Sequence, residues 1–155
     1  MLKWVTPDNE QVEYVANNMR VSDVKEVWLG VGLTPIDALS TLISASDVVV
    51  CLVNNGEPVY IMGGSRISLL AHNIGYCWGL ATTYCDIHKI LLAKVSLRGY
   101  DMLWNALGVD MLTCHVLEER SEILKWLKWV GADIGTERMI GINGGVFVPY
   151  VMKRR

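Results

Sequence analysis

The segment EILKWLKWVGADIG, Glu122 to Gly135, decides the fold. Ile123, Trp126, Leu127 and Val130 recur at helical spacing and form one apolar stripe. Glu122 falls in the first turn, with Lys125 and Lys128 nearer the C-terminus, the charge order that a helix dipole favours. Gly131 suits a left-handed cap, after which the chain turns straight back as a strand. The preceding DMLTCHVL also reads as a strand, so this end of the chain is a strand, an amphipathic helix and a returning strand.

Outward from that unit, ADIGTERMIGINGGVFVPYVMKRR reads as two strands around Asn143-Gly144-Gly145, and Pro149 implies an edge position or a bulge. Upstream, Asp86 is a candidate cap for a helix carrying Ile87, Ile90, Leu91 and Val95. Gly99 either ends that helix or sits inside a longer one running to Asn105 or Leu107. NIGYCWGLATTY is mostly apolar and reads as a strand buried on both faces in mid-sheet. DVVVCLVNNGEPVYIMGGSRI, with its Asn54-Asn55-Gly56 turn, is a β-hairpin.

The first third reads as a brief strand and then short helices. Thr6 is a candidate N-cap with Pro7 after it, Ser22 caps a second helix ending near Gly30, and Thr34 caps a third with Pro35 and Asp37 behind it. In the third helix Leu39, Leu42 and Ile43 share one face. The order is strand, helices, hairpin, strand, helix, strand, helix, hairpin. No internal repeat interrupts it.

At 155 residues, 52% hydrophobic and 19% charged, the chain has the composition of one ordered globular domain spanning 1–155. A net charge of -2 leaves no electrostatic footprint for nucleic acid, and the basic Lys153-Arg154-Arg155 is accounted for by a solvated tail. The start shows no secretory pattern and no stretch has the ~18 apolar residues of a membrane span, so a soluble intracellular protein is expected. Cys51, Cys77, Cys85 and Cys114 each lie in a mainly apolar stretch and read as reduced core thiols. Cys77 with Cys85-x-x-His88 is a weak zinc pattern, because neighbours such as Cys114 and His115 on a strand point to opposite faces. No metal is expected.

This order of elements, with a central strand feeding a helix and a late amphipathic helix ending in glycine, is similar over essentially the whole chain to the GNAT fold of acetyl-CoA-dependent N-acetyltransferases. The local likeness is strongest at VLEERSEILKWLKWVGADI, where Val130-Gly131-Ala132 stands for the family's turn after that helix. The resemblance implies an α/β domain with a mixed, twisted sheet and helices on both faces. CWGLAT, KWLKWVGADI and GVFVPYVMKR look further like the acetyltransferase-like proteins of tailed phages, some of which are called internal virion proteins in short-tailed phages.

Carried over residue by residue, the resemblance leaves the chemistry altered. The family's proton-donating tyrosine, four residues before the glycine, is here Leu127, and its frequent asparagine seven residues further upstream is Arg120. The family's glycine-rich pyrophosphate loop falls within ATTYCDIHKILL, which holds no glycine and places the negative Asp86 at the helix entry. The resemblance puts a pantetheine arm beside the backbone of Leu80, Ala81 and Thr82 and the cofactor's phosphates near Ile87 and His88. GYCWGLATTY lacks the glutamate base that the family often has on its central strands; Glu57 reads as a solvated turn residue, and Glu118 and Glu119 as favourable charge at a helix N-terminus.

His115 is the most tempting catalytic candidate, an imidazole on a predicted strand near the sheet end, although a lone histidine on an apolar strand is more often structural. Cys85 and His88, three apart at a helix start, are a second candidate pair, against the plainer reading of a buried cap-region cysteine. Among the six tryptophans, Trp126 belongs to the buried stripe, whereas Trp129 lies off its centre and is either a protein-contact anchor or a cover for its own sheet edge.

Two functions follow from the resemblance. In one, a catalytically degenerate domain works through contacts with phage structural or assembly proteins or with its own copies, in the host cytoplasm or the particle. In the other, an acetyltransferase uses acetyl-CoA to modify a host or phage amine, with proton transfer through water or His115.

Overall fold

The computed structural model describes residues 1–67, 70 and 73–155. The elements run β1 (Leu2–Val5), α1 (Asn9–Asn17), α2 (Val21–Val31), α3 (Pro35–Ser44), β2 (Val48–Asn54), β3 (Glu57–Arg66), β4 (Ile74–Ala81), α4 (Tyr84–Ile87), α5 (Lys89–Leu107), β5 (Met111–Leu117), α6 (Ser121–Trp129), β6 (Asp133–Ile134), β7 (Met139–Ile140) and β8 (Val146–Lys153). They build a mixed sheet in the order β1-β2-β3-β4-β5-β8-β6, with β7 also paired to β8. All described pairs are antiparallel except β4 with β5.

The β2–β3 hairpin follows from its turn, where Asn55 (φ 50°) and Gly56 (φ 89°) both take the left-handed conformation that a two-residue loop between twisted strands requires. β4 is central, and alternate residues feed two cores. Cys77 joins the α5 and α6 side with Leu103, Trp104, Leu112, Leu127 and Val148. Trp78 and Leu80 join the α1, α2 and α3 side with Val15, Val27, Leu39 and Ile61. Helices therefore cover both faces, as the resemblance implies.

The end of α6 is also as read. Gly131 has φ 89°, its N–H bonds to Lys128 O, and Ala132 N–H reaches back to Leu127 O at 2.9 Å, a double closure that satisfies the last carbonyls of the helix. Leu127 is 1% exposed in the core. β6 and β7 both pair with β8 along one edge, β6 at Val151 and Tyr150 and β7 at Phe147 and Val146. Pro149 is not on an edge strand as expected, since β8 lies between β5 and the β6 and β7 strands; its carbonyl accepts Gly135 N–H, and with no N–H of its own it returns no bond just past the end of β6.

Several local expectations are corrected. The cap of α1 is Asp8, in a reciprocal box with Gln11, and not Thr6, because the helix begins only at Asn9. α2 has no side-chain cap, so Ser22 lies inside it, and it runs past Gly30 to close on the left-handed Gly32. Thr34 caps α3 as expected. Asp86 lies inside the one-turn α4; α5 starts afresh after His88 and runs through Gly99 to Leu107. Gly99 is where α5 lies closest to the sheet, since a Cβ there would meet Met62 Sδ and come within 2.8 Å of the Trp4 ring. Of the expected stripe, Ile87, Ile90 and Leu91 are exposed and Val95 is half-buried, and the buried positions begin at Gly99 and continue with Tyr100, Leu103, Trp104 and Leu107. The first turns of α5 overhang a cleft and only its second half rests on the sheet.

Candidate functional site

The cleft arises from the one parallel pairing. β4 and β5 are in register only at Ile74–Met111, Gly75–Leu112 and Tyr76–Thr113, after which they diverge. Beyond that point the facing edges of the two strands have no ladder partner, and their N–H groups need acceptors from elsewhere.

Two of those acceptors come from α2, one for each strand. Asp23 Oδ2 takes the N–H of Ala81 at 2.7 Å and Glu26 Oε2 takes the N–H of Leu117 at 2.9 Å. The two carboxylates are three residues apart, hence neighbours on one helix face. Arg20, just before α2, donates its backbone N–H to Ala81 O at 2.9 Å and holds Asp23 Oδ2 at 3.0 Å through Nε. Arg120, just before α6, reaches Asp23 Oδ1 at 2.8 Å, Glu26 Oε1 at 3.1 Å and Ser22 Oγ at 3.3 Å. Asp23 is fully buried and the Arg120 side chain is 10% exposed. Burial pushes the Glu26 carboxyl above its ordinary range, against the opposing pull of Arg120 and of the Leu117 N–H. Two cations and two anions thus close a neutral network between the strands.

Above it lies a cavity of about 810 Å³ whose walls come from both faces of the sheet, including Arg20, Tyr60, Ile90, Arg120, Ile123 and Trp126. Exposed ion pairs join its rims, Lys89 to Glu122 at 2.9 Å and Lys25 to Glu119 at 2.6 Å. Lys25 and Glu119 also wall a second cavity of about 430 Å³ beside Asn143 and Gly144. Tyr60 stands over Gly79, where any Cβ would strike its hydroxyl, and burial raises its phenol above the ordinary value.

The residues singled out in the sequence fall at different places around this cleft. Leu80 is paired with Ile61 inside the ladder. Ala81 has both backbone groups engaged, by Asp23 and Arg20. Thr82 gives its N–H and its hydroxyl to Val59 O. Ile87 is 80% exposed beside the cleft mouth, and the His88 ring stacks on Tyr84 with centroids 4.1 Å apart. His115 is half-buried opposite Pro149 and lines neither cavity. Glu57 is exposed, Glu118 pairs with Arg138, and Glu119 with Lys25.

The thiols are not set up for chemistry. Burial pushes Cys51, Cys85 and Cys114 up to about 12 and Cys77 well above its usual value, so all are protonated at neutral pH. Cys85 Sγ points to Val59 O and not to His88. Among the described residues no cluster of three or more His, Cys, Asp or Glu could hold a metal ion. None of the described helices is, singly, long and apolar enough to cross a membrane.

Sequence reading singled out Arg120 but missed Asp23, Glu26 and Tyr60. The available signal was a pair of acids one turn apart on the face that also carries Val27, where a solvated helix would keep its charges on the opposite side.

No family model and no curated protein matches the chain. Solved structures do. A GNAT-family acetyltransferase from Streptococcus pneumoniae is 12% identical with TM-score 0.67, covering 100% of both chains. The ribosomal-protein-S18-alanine N-acetyltransferase of Escherichia coli is 10% identical with TM-score 0.69, over 99% of this chain and 94% of its own. The yncA protein of Salmonella typhimurium, solved with its cofactor acetyl-CoA, is 10% identical with TM-score 0.72, over 100% of this chain and 95% of its own. At such identities the likeness concerns the backbone: the chain has the GNAT acetyltransferase fold from end to end.

Proposed function

We propose that this is a GNAT-fold domain that has lost acetyl transfer and serves as a virion- or assembly-associated protein of a tailed phage. It would act through contacts with phage structural or assembly proteins, or with further copies of itself, in the host cytoplasm or the particle. The carrying observation is the saturation of the central strand's end. Ala81, whose backbone would face a pantetheine arm, gives its N–H to Asp23 and its carbonyl to Arg20. A ligand amide pairing there would have to displace a buried, doubly ion-paired carboxylate, which is costly.

The surroundings agree. Leu127, in the place of the family's proton donor, is 1% exposed and has no proton to give. The short α4 that leads into α5 carries Asp86, and no glycine lies between β4 and α5, where phosphate oxygens would need close backbone N–H groups. The residues present do not fit acetyl-CoA. The phage assignment is supported by the likeness of CWGLAT, KWLKWVGADI and GVFVPYVMKR, and the contact role by Trp129, 71% exposed, in a class of residue enriched at interface hot spots.

A second reading, an acetyl-CoA-dependent acetyltransferase acting on a host or phage amine, draws on the 810 Å³ cavity at the strand divergence and on yncA, whose similar backbone holds acetyl-CoA. Calorimetric titration with acetyl-CoA, paired with a thermal-shift series, separates the two. The degenerate domain gives no heat and no shift at millimolar ligand. A micromolar dissociation constant, with stabilisation growing as mass action requires, overturns it in favour of the enzyme.

A further inference from the structure

We propose that Arg120 is a positioning residue that fixes Asp23 and Glu26 as an internal occupant of the strand divergence, so that the Ala81 and Leu117 amides at its two edges stay hydrogen-bonded without any ligand. This rests on reading the cleft as closed to acetyl-CoA, and it can fail while that reading stands, because it concerns what holds the edges and not what binds there.

The geometry is specific. Asp23 alone satisfies β4, through Ala81, and Glu26 alone satisfies β5, through Leu117. Neither carboxylate touches the other strand's donor. Arg120 spans both, one guanidinium nitrogen on each, and the planar fork of arginine can hold two carboxylates in a fixed relation where a lysine ammonium cannot. Arg20 engages only Asp23. Arg120 is therefore the only side chain among those described that links the acceptor of one diverging strand to the acceptor of the other. Its position beside the first residue of α6 also ties that helix to α2 across the cavity. The family's asparagine at this place is too short to span both acids; arginine makes the bridge.

The readout is amide hydrogen exchange, followed residue by residue by NMR, in the full chain with Arg120→Ala. The substituted side chain bonds to neither amide. The expected result is that Ala81 and Leu117 both lose protection by at least about tenfold more than core amides such as Leu103 and Ile61, because their acceptors come loose without the domain unfolding. Acceleration shared equally with the core amides marks a general loss of stability and overturns the assignment, as does an unchanged rate at either edge amide. Should Arg120→Ala fail to fold, Arg120→Lys is read by the same comparison: its single ammonium holds one carboxylate, so at least one edge amide must open ahead of the core.

Discussion

Asp23, in α2, accepts the backbone N–H of Ala81, at the end of the central strand, over 2.7 Å. The bond joins α2 to one of the two diverging strands, and its acceptor is a side chain with no exposed surface. Because two guanidiniums converge on the same carboxylate, removing it leaves the Arg20 cation and the Ala81 N–H without their partner and Arg120 paired with Glu26 alone.

Asp23→Ala is therefore expected to cost roughly 3–5 kcal/mol, the range for breaking a buried pair from one side. Asp23→Asn should lose less, since its amide oxygen can still accept from Ala81. Urea denaturation at neutral pH of the wild type and both variants measures this. A loss under about 1 kcal/mol for the alanine variant would mean that the network is not a structural element.

Glu26 carries a pH signature of opposite sign to most carboxylates. Burial holds it above the ordinary glutamate range, so the folded protein binds its proton more tightly than the unfolded chain. Between the unfolded and the folded pKa, stability from this group rises as pH falls, and above the folded pKa that gain is absent. Glu26→Gln has no such proton. The stability of the wild type relative to Glu26→Gln should accordingly increase as pH drops from neutral towards about 4.5, in paired denaturation curves that cancel the other carboxylates. A difference that is flat, or that shrinks on acidification, would show Arg120 and the Leu117 N–H to outweigh burial.

How much of this was legible depended on how far apart the partners lie. The β2–β3 hairpin and the end of α6 were readable because Asn55, Gly56 and Gly131 set their own backbone conformations, a local property of residue type. The Asp23 and Glu26 contacts were not, since their donors are backbone groups 58 and 91 residues away, and a backbone N–H leaves no mark in the sequence. The face of α5 was misread for a related reason. Periodicity identifies an apolar stripe at Ile87, Ile90 and Leu91, but whether anything lies beneath it is set by the width of a cleft that two distant strands create.

Trp126 and Trp129 separate packing from contact on a single helix. Trp126 lines the cavity and stacks on Tyr100 with centroids 6.2 Å apart, whereas Trp129 is 71% exposed. Trp126→Ala should thus cost about 3 kcal/mol by opening the core, and Trp129→Ala less than about 0.5 kcal/mol. The effect of Trp129→Ala belongs instead to association, read by sedimentation of the protein alone and with candidate assembly proteins: the substitution is expected to weaken whichever complex forms while leaving the melting curve in place. A stability loss of several kcal/mol with association unchanged would return Trp129 to the role of a cover for its own sheet edge, and the contact surface would then have to be sought elsewhere, beginning with the exposed Trp28, Ile140 and Ile142.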